Sequence, residues 1–216
     1  MRSRPGKVRV KTDPEVLRSA GLLLEYHPQL GPLRIEAVFG NEAPVEVEVG
    51  PGKGGFLLGR ASACPEINFL GIEWVHAYAA YLADRAYRAN LPNVRAVCGD
   101  AADFFQTSLP DDSVSRVHIY FPDPWPKRKH CRRRLITPSF LCEVRRALCP
   151  GGWLGIITDD ADYFEHARHV VSATEGLDDI PFDACPGAEG LVGSNFEKKY
   201  SRAGRAFHTL AATRSR

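Results

Sequence analysis

Short apolar runs rich in β-branched residues alternate with segments of helical periodicity from residue 45 onward. Each run is brief and mostly nonpolar, as the central strands of a parallel sheet are, and each is followed by a turn or a helix. The alternation predicts an α/β fold in which helices cover a mostly parallel sheet. The predicted strands are Val45 to Val49, Ile67 to Ile72, Val94 to Cys98, Val117 to Phe121 and Trp153 to Thr158.

Two segments between these runs repeat apolar residues at helical spacing and predict amphipathic helices that pack on the sheet. The second follows a Thr137-Pro138 start signal, and Pro150-Gly151-Gly152 predicts its end and the turn into the next strand. The apolar positions are Val75, Tyr78, Ala79, Leu82 and Ala86 in the first helix and Phe140, Leu141, Val144, Ala147 and Leu148 in the second.

The chain of 216 residues shows no internal repeat and no linker, which favours a single domain over residues 41–216. Residues 1–40 are basic and contain prolines at positions 5, 14, 28 and 32. They predict either an extended arm or a partly disordered terminus.

Composition excludes several classes of protein. A net charge of +2 is too small to indicate a nucleic-acid partner by itself. The six cysteines form no C-x-x-C pair, so we expect neither a zinc site nor a disulfide framework, and free thiols indicate a reducing cytosol. We find no signal-peptide segment and no apolar stretch long enough to span a bilayer. We therefore expect a cytoplasmic protein with no metal and no membrane partner.

A glycine-rich loop follows the first predicted strand. Gly50-Pro51-Gly52-Lys53-Gly54-Gly55 leads directly into a helical pattern, an arrangement typical of sites for nucleotide-like ligands. Glycine lets the backbone pass close under a ligand, and the helix start presents free N–H groups. The spacing satisfies both G-x-G-x-G and G-x-G-x-x-G, so the loop alone does not choose between a methyl donor and a dinucleotide.

Four acids lie at the carboxyl ends of four successive predicted strands, and in an open α/β sheet these ends meet in one crevice. Glu73 is placed to accept hydrogen bonds from the ribose hydroxyls, and Asp100 is placed to accept one from the adenine amino group. Glu48 suits the cationic amino group and sulfonium of S-adenosylmethionine and repels a pyrophosphate, which favours the methyl donor. The alternative for each acid is a helix cap, as for Asp100 before Ala101. The fourth acid is Asp123.

A proline-rich loop, FPDPWPK, presents Asp123 and Trp125 beside a cationic run. Its three prolines hold the acid in place before any ligand arrives. Six of the eight residues from Lys127 to Arg134 are lysine or arginine. Such a run is either a solvated face or, at this edge of the sheet, a docking site for phosphates. Trp125 either stacks on a base or packs in the core.

At these residues the sequence resembles the bacterial tRNA (guanine-N7-)-methyltransferase family. The resemblance runs from about Val45 to Gly204 and rests on motifs in the expected order: VEVGPGKG, GIEW, GDA, FPDPWPKRKHCRRRL, TDDADY and SNFE. Two positions depart from the family pattern. Asp160 stands where an aromatic residue commonly follows Thr-Asp, and Ser194 replaces a threonine but keeps the hydroxyl.

The resemblance implies a Rossmann-like class I methyltransferase with a seven-stranded, mostly parallel sheet and an antiparallel C-terminal strand. It implies S-adenosylmethionine as methyl donor, S-adenosylhomocysteine as product, and guanine 46 in the tRNA variable loop as target, in a monomer or homodimer. Asp123 is the implied catalytic residue. The implied cofactor-binding residues are Glu48, Gly50, Gly52, Gly54, Glu73, Asp100 and Asp123, and the implied tRNA-binding residues are Lys127, Asp159, Ser194, Asn195, Phe196 and Glu197.

Guanine N7 carries a lone pair and no proton, so its methylation needs alignment more than a general base. We expect Asp123 and Asp159 to accept hydrogen bonds from the guanine N1–H and amino group, a task that Glu197 shares. Three other functions stay open from the residues: a class I methyltransferase for a small molecule or protein, a dinucleotide-dependent oxidoreductase, and a non-catalytic RNA-binding module.

Overall fold

The computed structural model describes residues 8–184 and 207–216. Within these ranges one sheet is flanked by helices. The strands are β1 (Leu23–Leu24), β2 (Val45–Val49), β3 (Asn68–Glu73), β4 (Val94–Cys98), β5 (Val114–Tyr120), β6 (Leu148–Thr158), β7 (Leu177–Ile180) and β8 (His208–Arg214). The helices are α1 (Pro14–Ser19), α2 (Ile35–Phe39), α3 (Gly55–Ala63), α4 (His76–Arg88), α5 (Ala101–Thr107), α6 (Pro138–Ala147) and α7 (Ala161–Ser172). Short 3₁₀ helices cover Pro28–Leu30, Arg128–Arg133 and Phe182–Ala184.

The eight strands lie in the order β1-β4-β3-β2-β5-β6-β8-β7. Pairing is parallel from β1 to β6, and β8 runs antiparallel to both of its neighbours. The predicted α/β class, with an antiparallel strand near the C-terminus, is confirmed. The strand beyond the expected seven is β1, whose two residues are too few to show an alternating pattern.

The strand order reverses at β2. From β2 the chain moves outward to β3 and β4, then crosses back to place β5 on the other side of β2. In open α/β sheets the crevice beyond the carboxyl ends at such a reversal binds the ligand. β2 and β5 are parallel neighbours, so the glycine loop and the proline-rich loop both begin at this crevice.

The second predicted helix ends one residue earlier than its periodicity indicated. Thr137 caps α6 by accepting a hydrogen bond from the Phe140 N–H at 3.2 Å. The helix ends at Ala147, and Leu148 already pairs with Val114 in the sheet. Periodicity places Leu148 in the helix because its position would be buried either on the helix or in the strand, and its side chain has no exposure. The Pro-Gly-Gly segment therefore lies within β6 rather than before it.

The described part of the N-terminal segment packs on the domain. Leu17 of α1 is fully buried, and β1 adds to the sheet beside β4. The Thr12 backbone N–H and hydroxyl both donate to Asp84 of α4, at 3.0 and 2.7 Å. Among the described residues, no helix combines the length and apolar character that crossing a membrane requires.

Candidate active site

The glycine loop turns three times through left-handed backbone conformations, which glycine adopts without strain. The φ angles of Gly50, Gly52 and Gly54 are 71°, 55° and 69°. A Cβ at Gly50 or Gly52 would meet no atom within 4 Å, so the backbone there borders open space. A Cβ at Gly54 would overlap the Leu82 side chain. Two glycines thus leave room for a ligand, and the third allows α3 to pack against α4.

Glu73 joins the end of β3 to the glycine loop. Its Oε2 accepts a hydrogen bond from the Gly52 N–H and its Oε1 one from the Val75 N–H, both at 2.9 Å. Burial raises the pKa of Glu73 despite these bonds, and the nearby negative charge of Asp123 raises it further. The Trp74 backbone N–H also binds this carboxyl group, and because a carboxylate accepts at about four sites, acceptor capacity remains for a ribose hydroxyl.

Glu48 is a buried carboxyl group beside the loop. Burial raises its pKa to about 8, although the Leu57 backbone N–H binds it, and the charge of Glu73 contributes to the rise. Its Oε2 has no hydrogen-bond partner in the described structure. A buried acceptor without a partner is costly, and a cationic ligand group would relieve that cost. This carboxyl group therefore fits the cationic end of S-adenosylmethionine better than a pyrophosphate.

Asp100 does cap α5, as the alternative interpretation held. Its Oδ1 accepts hydrogen bonds from the backbone N–H groups of Ala102 at 2.8 Å and Asp103 at 3.3 Å. The cap fixes the carboxylate at the carboxyl end of β4, beside Glu73, whose carbonyl accepts from the Gly99 N–H at 3.1 Å. The capping role leaves Oδ2 as the oxygen for a ligand.

The loop after β5 carries two non-glycine residues in left-handed conformations. The φ angles of Phe121 and Trp125 are 52° and 46°, and they flank the exposed Asp123. Such conformations cost free energy and recur at functional sites. Trp125 is only 9% exposed and packs against Arg133, whose guanidinium lies 5.0 Å from its ring centre. Its burial favours a packing role over base stacking.

Arg134 holds the loop after β5 in place. Its Nε donates to the Pro124 carbonyl at 2.9 Å, it pairs with Asp162, and its guanidinium lies 5.0 Å from the Tyr163 ring centre. At 6% exposure it is not available to phosphates, so the interpretation of the whole cationic run as a phosphate site is wrong at this residue. The exposed lysines and arginines of the run are Lys127, Arg128, Lys129, Arg132 and Arg133.

The segment after β6 contains two acids, Asp159 and Asp160. Asp160, one of the two departures from the family pattern, caps α7 by accepting from the Tyr163 N–H at 2.8 Å. Asp159 lies half-buried at the carboxyl end of β6, the next strand after β5 in the sheet. The predicted substrate residues Ser194, Asn195, Phe196 and Glu197 lie outside the described residues.

A buried polar network that joins β2, α3 and β5 was not predicted from the sequence. Glu46 of β2 pairs with Arg60 of α3 through two hydrogen bonds of 2.5 and 2.7 Å, and with the His118 Nε2 at 3.0 Å. The His118 Nδ1 contacts the Tyr120 hydroxyl at 2.8 Å. Burial raises the pKa of Glu46, but the bonds from Arg60 and His118 outweigh it and lower the pKa to about 2. The available signal was two acids, Glu46 and Glu48, on one face of an otherwise apolar strand.

Solved methyltransferases share this fold. A 16S rRNA methyltransferase matches with a TM-score of 0.58 and 15% identity, over 84% of this chain and 93% of its own. An aminoglycoside resistance methyltransferase also matches with a TM-score of 0.58, at 19% identity, over 83% of this chain and 91% of its own. At such identities the likeness shows the fold alone. The chain therefore has the Rossmann-like fold of the class I methyltransferases.

Sequence relatives narrow the class to a family. Residues 42–210 match a family described as "Putative methyltransferase". The tRNA (guanine-N(7)-)-methyltransferase of Limosilactobacillus fermentum is 34% identical over 88% of this chain and 93% of its own length. That of Nitrosococcus oceani is 42% identical over 69% of this chain and 64% of its own length, so the match spans just under two thirds of that relative. The chain belongs to the tRNA (guanine-N(7)-)-methyltransferase family, which confirms the resemblance.

Proposed function

We propose that this protein transfers the methyl group of S-adenosylmethionine to N7 of a guanine in tRNA, with guanine 46 of the variable loop as the target. The names of its relatives support the reaction and the substrate class. The observation that carries the proposal is the buried, unpartnered carboxyl oxygen of Glu48 beside an open glycine loop, with Asp123 near enough to Glu73 for its charge to raise the pKa of Glu73. A tRNA substrate also implies an enzyme of the cytoplasm.

In this proposal the residues at the carboxyl ends of β2, β3 and β4 hold the cofactor. Bound S-adenosylmethionine supplies an electrophilic methyl group on a sulfonium. Glu48 faces the cationic amino-acid end, Glu73 accepts the ribose hydroxyls, and Asp100 accepts the adenine amino group. Gly50 and Gly52 let the backbone approach the ligand, and Gly54, which lets α3 pack against α4, completes the loop.

The loops after β5 and β6 orient the base. Asp123 and Asp159 accept hydrogen bonds from the guanine N1–H and amino group, which aims the N7 lone pair at the methyl group. Since N7 carries no proton, the gain comes from alignment and from carboxylates near a positive charge that moves from sulfur to base. Lys127 and the exposed arginines behind it bind phosphates.

A binding and incorporation experiment tests the proposal. S-adenosylhomocysteine should raise the melting temperature of the protein and NAD should not, which separates a methyltransferase from a dinucleotide enzyme. Methyl label from S-adenosylmethionine should enter a tRNA transcript. Binding of tRNA without incorporation would indicate an RNA-binding module and contradict the proposal.

A further inference from the structure

The segment that follows β1 reaches the edge of the sheet where the cofactor site lies. Because β1 pairs with β4 in parallel, Leu23 beside Ala96 and Leu24 beside Val97, the residues after both strands emerge at the same edge. Tyr26 therefore lies next to the turn that follows Cys98. This segment precedes residue 42, where the match to the family model begins.

Tyr26 rests directly on the backbone of Gly99. A Cβ at Gly99 would lie 2.6 Å from the Tyr26 ring, so only glycine admits the ring at this distance. The ring also packs edge-on against Phe104, with ring centres 5.0 Å apart. Its hydroxyl is 3.1 Å from the Thr107 hydroxyl. Both partners belong to α5, the helix that Asp100 caps.

The Gly99-Asp100 turn is thus held from two sides. On one side the Gly99 N–H donates to the Glu73 carbonyl at 3.1 Å, and on the other the Tyr26 ring covers Gly99. A hydrogen bond from a ligand to Asp100 depends on where this turn places the carboxylate, and a positioned acceptor costs less to engage than a mobile one.

We propose that Tyr26 is a positioning residue of the cofactor site, which packs the Gly99-Asp100 turn so that Asp100 accepts the adenine amino group. The inference rests on the proposed cofactor. It extends the site to the N-terminal segment, which supplies packing to the turn rather than a ligand contact.

Calorimetric titration with two analogues tests this role on the full-length protein. S-adenosylhomocysteine carries the adenine amino group, and S-inosylhomocysteine replaces it with a carbonyl oxygen. The wild type should prefer the adenine analogue. The Tyr26→Ala variant should lose about tenfold in affinity for it, the size of one hydrogen bond, and should bind the inosine analogue as the wild type does. A change confined to one analogue is not expected from general loosening of the fold.

Three further variants complete the test. Tyr26→Phe keeps the ring and should bind both analogues normally. Gly99→Ala keeps Tyr26 but places a methyl group against its ring, and should reproduce the loss of preference even if Tyr26→Ala fails to fold. Tyr87→Ala removes a tyrosine that is 44% exposed near the end of α4 and should change neither affinity.

The outcomes separate the two proposals. If the wild type binds S-adenosylhomocysteine and the Tyr26→Ala and Gly99→Ala variants keep its preference, the role of Tyr26 is refuted and the proposed function stands. Equal losses for both analogues also refute it, because they indicate a structural role only. If the wild type binds neither analogue, the proposed function and the inference fall together.

Discussion

At the scale of single residues, Glu48 differs most from an ordinary surface acid. Its pKa of about 8 follows from burial and means that it is largely protonated at neutral pH when no ligand is bound. A cationic ligand favours the ionised carboxylate. Binding therefore releases a proton wherever the pH lies below this pKa, and affinity and pH are linked.

We predict that the affinity for S-adenosylmethionine rises with pH and levels off above about 8, the pKa of Glu48. Calorimetry at pH 7 in buffers of different ionisation enthalpy should detect proton release on binding. The Glu48→Gln variant should bind more weakly and lose this pH dependence. A wild-type affinity that stays constant between pH 6 and about 8 would contradict the assignment of Glu48.

We also predict how Glu48→Gln changes the melting temperature when no ligand is bound. The folded-state pKa of Glu48 lies above its ordinary value of 4.5, so its contribution to stability is present below 4.5 and is lost as the pH rises through about 8. Glutamine does not ionise. Glu48→Gln should therefore melt at a higher temperature than the wild type in ligand-free thermal scans at alkaline pH, and an equal or lower melting temperature would contradict the burial argument.

Asp123 should affect turnover rather than cofactor binding. It is exposed and lies between two residues in left-handed conformations, in the loop that we propose orients the base. Asp123→Asn should lower kcat about a hundredfold, a typical loss for one group that stabilises a developing charge, and leave the Kd for S-adenosylhomocysteine nearly unchanged. Asp179→Asn, on the exposed part of β7, is the matched control. Normal turnover by the Asp123 variant would remove it from the site.

At the scale of elements, the exposed part of the cationic run should determine the dependence on salt. The Lys127→Ala/Arg128→Ala double variant should raise the KM for tRNA and reduce the slope of log affinity against log salt by about 2, close to one per lost phosphate contact. Affinity for S-adenosylhomocysteine should not change. Arg168→Ala, an exposed arginine on α7, serves as control. An unchanged salt slope in the double variant would count against a phosphate site here.

The buried network joins β2, α3 and β5, the elements around the crevice. Arg60→Ala would leave the Glu46 carboxylate buried without its main partner, and should lower the free energy of unfolding by about 3–5 kcal/mol in urea titrations. The folded-state pKa of Glu46 is about 2, so in the wild type its stabilising contribution is present above 4.5 and lost as the pH falls towards 2. Arg168→Ala should cost little. Similar losses in the two variants would contradict the network's role.

At the scale of the whole molecule, periodicity predicted the elements with strong apolar signals. The bounds of β2 and β4 agree residue for residue, because both runs are bounded by turns. The strands β1 and β7 were missed, since one has two residues and the other contains Asp178 and Asp179 at exposed positions. Sheet pairing, rather than local sequence, makes these segments strands.

The residues of the candidate site also divide into those whose positions the sequence predicts and those whose contacts it does not. The positions of Glu48, Glu73 and Asp123 follow from parallel topology, which brings strand ends to one edge, so sequence sufficed for them. The contacts of Arg134 and Tyr26 join residues far apart in the chain, through Asp162 and Gly99, and no local pattern encodes them. The Glu46 network was missed because strand periodicity reveals the face of a buried charge but not its partners.

Mapping the modified nucleotide tests the central claim most directly. A tRNA transcript is incubated with the protein and S-adenosylmethionine, reduced with borohydride and treated with aniline, which cleaves the chain at N7-methylguanine. We predict one cleavage, at the guanine of the variable loop, that depends on S-adenosylmethionine and appears about a hundredfold more slowly with Asp123→Asn but at the normal rate with Asp179→Asn. No cleavage by the wild type, or cleavage at another guanine, would contradict the account.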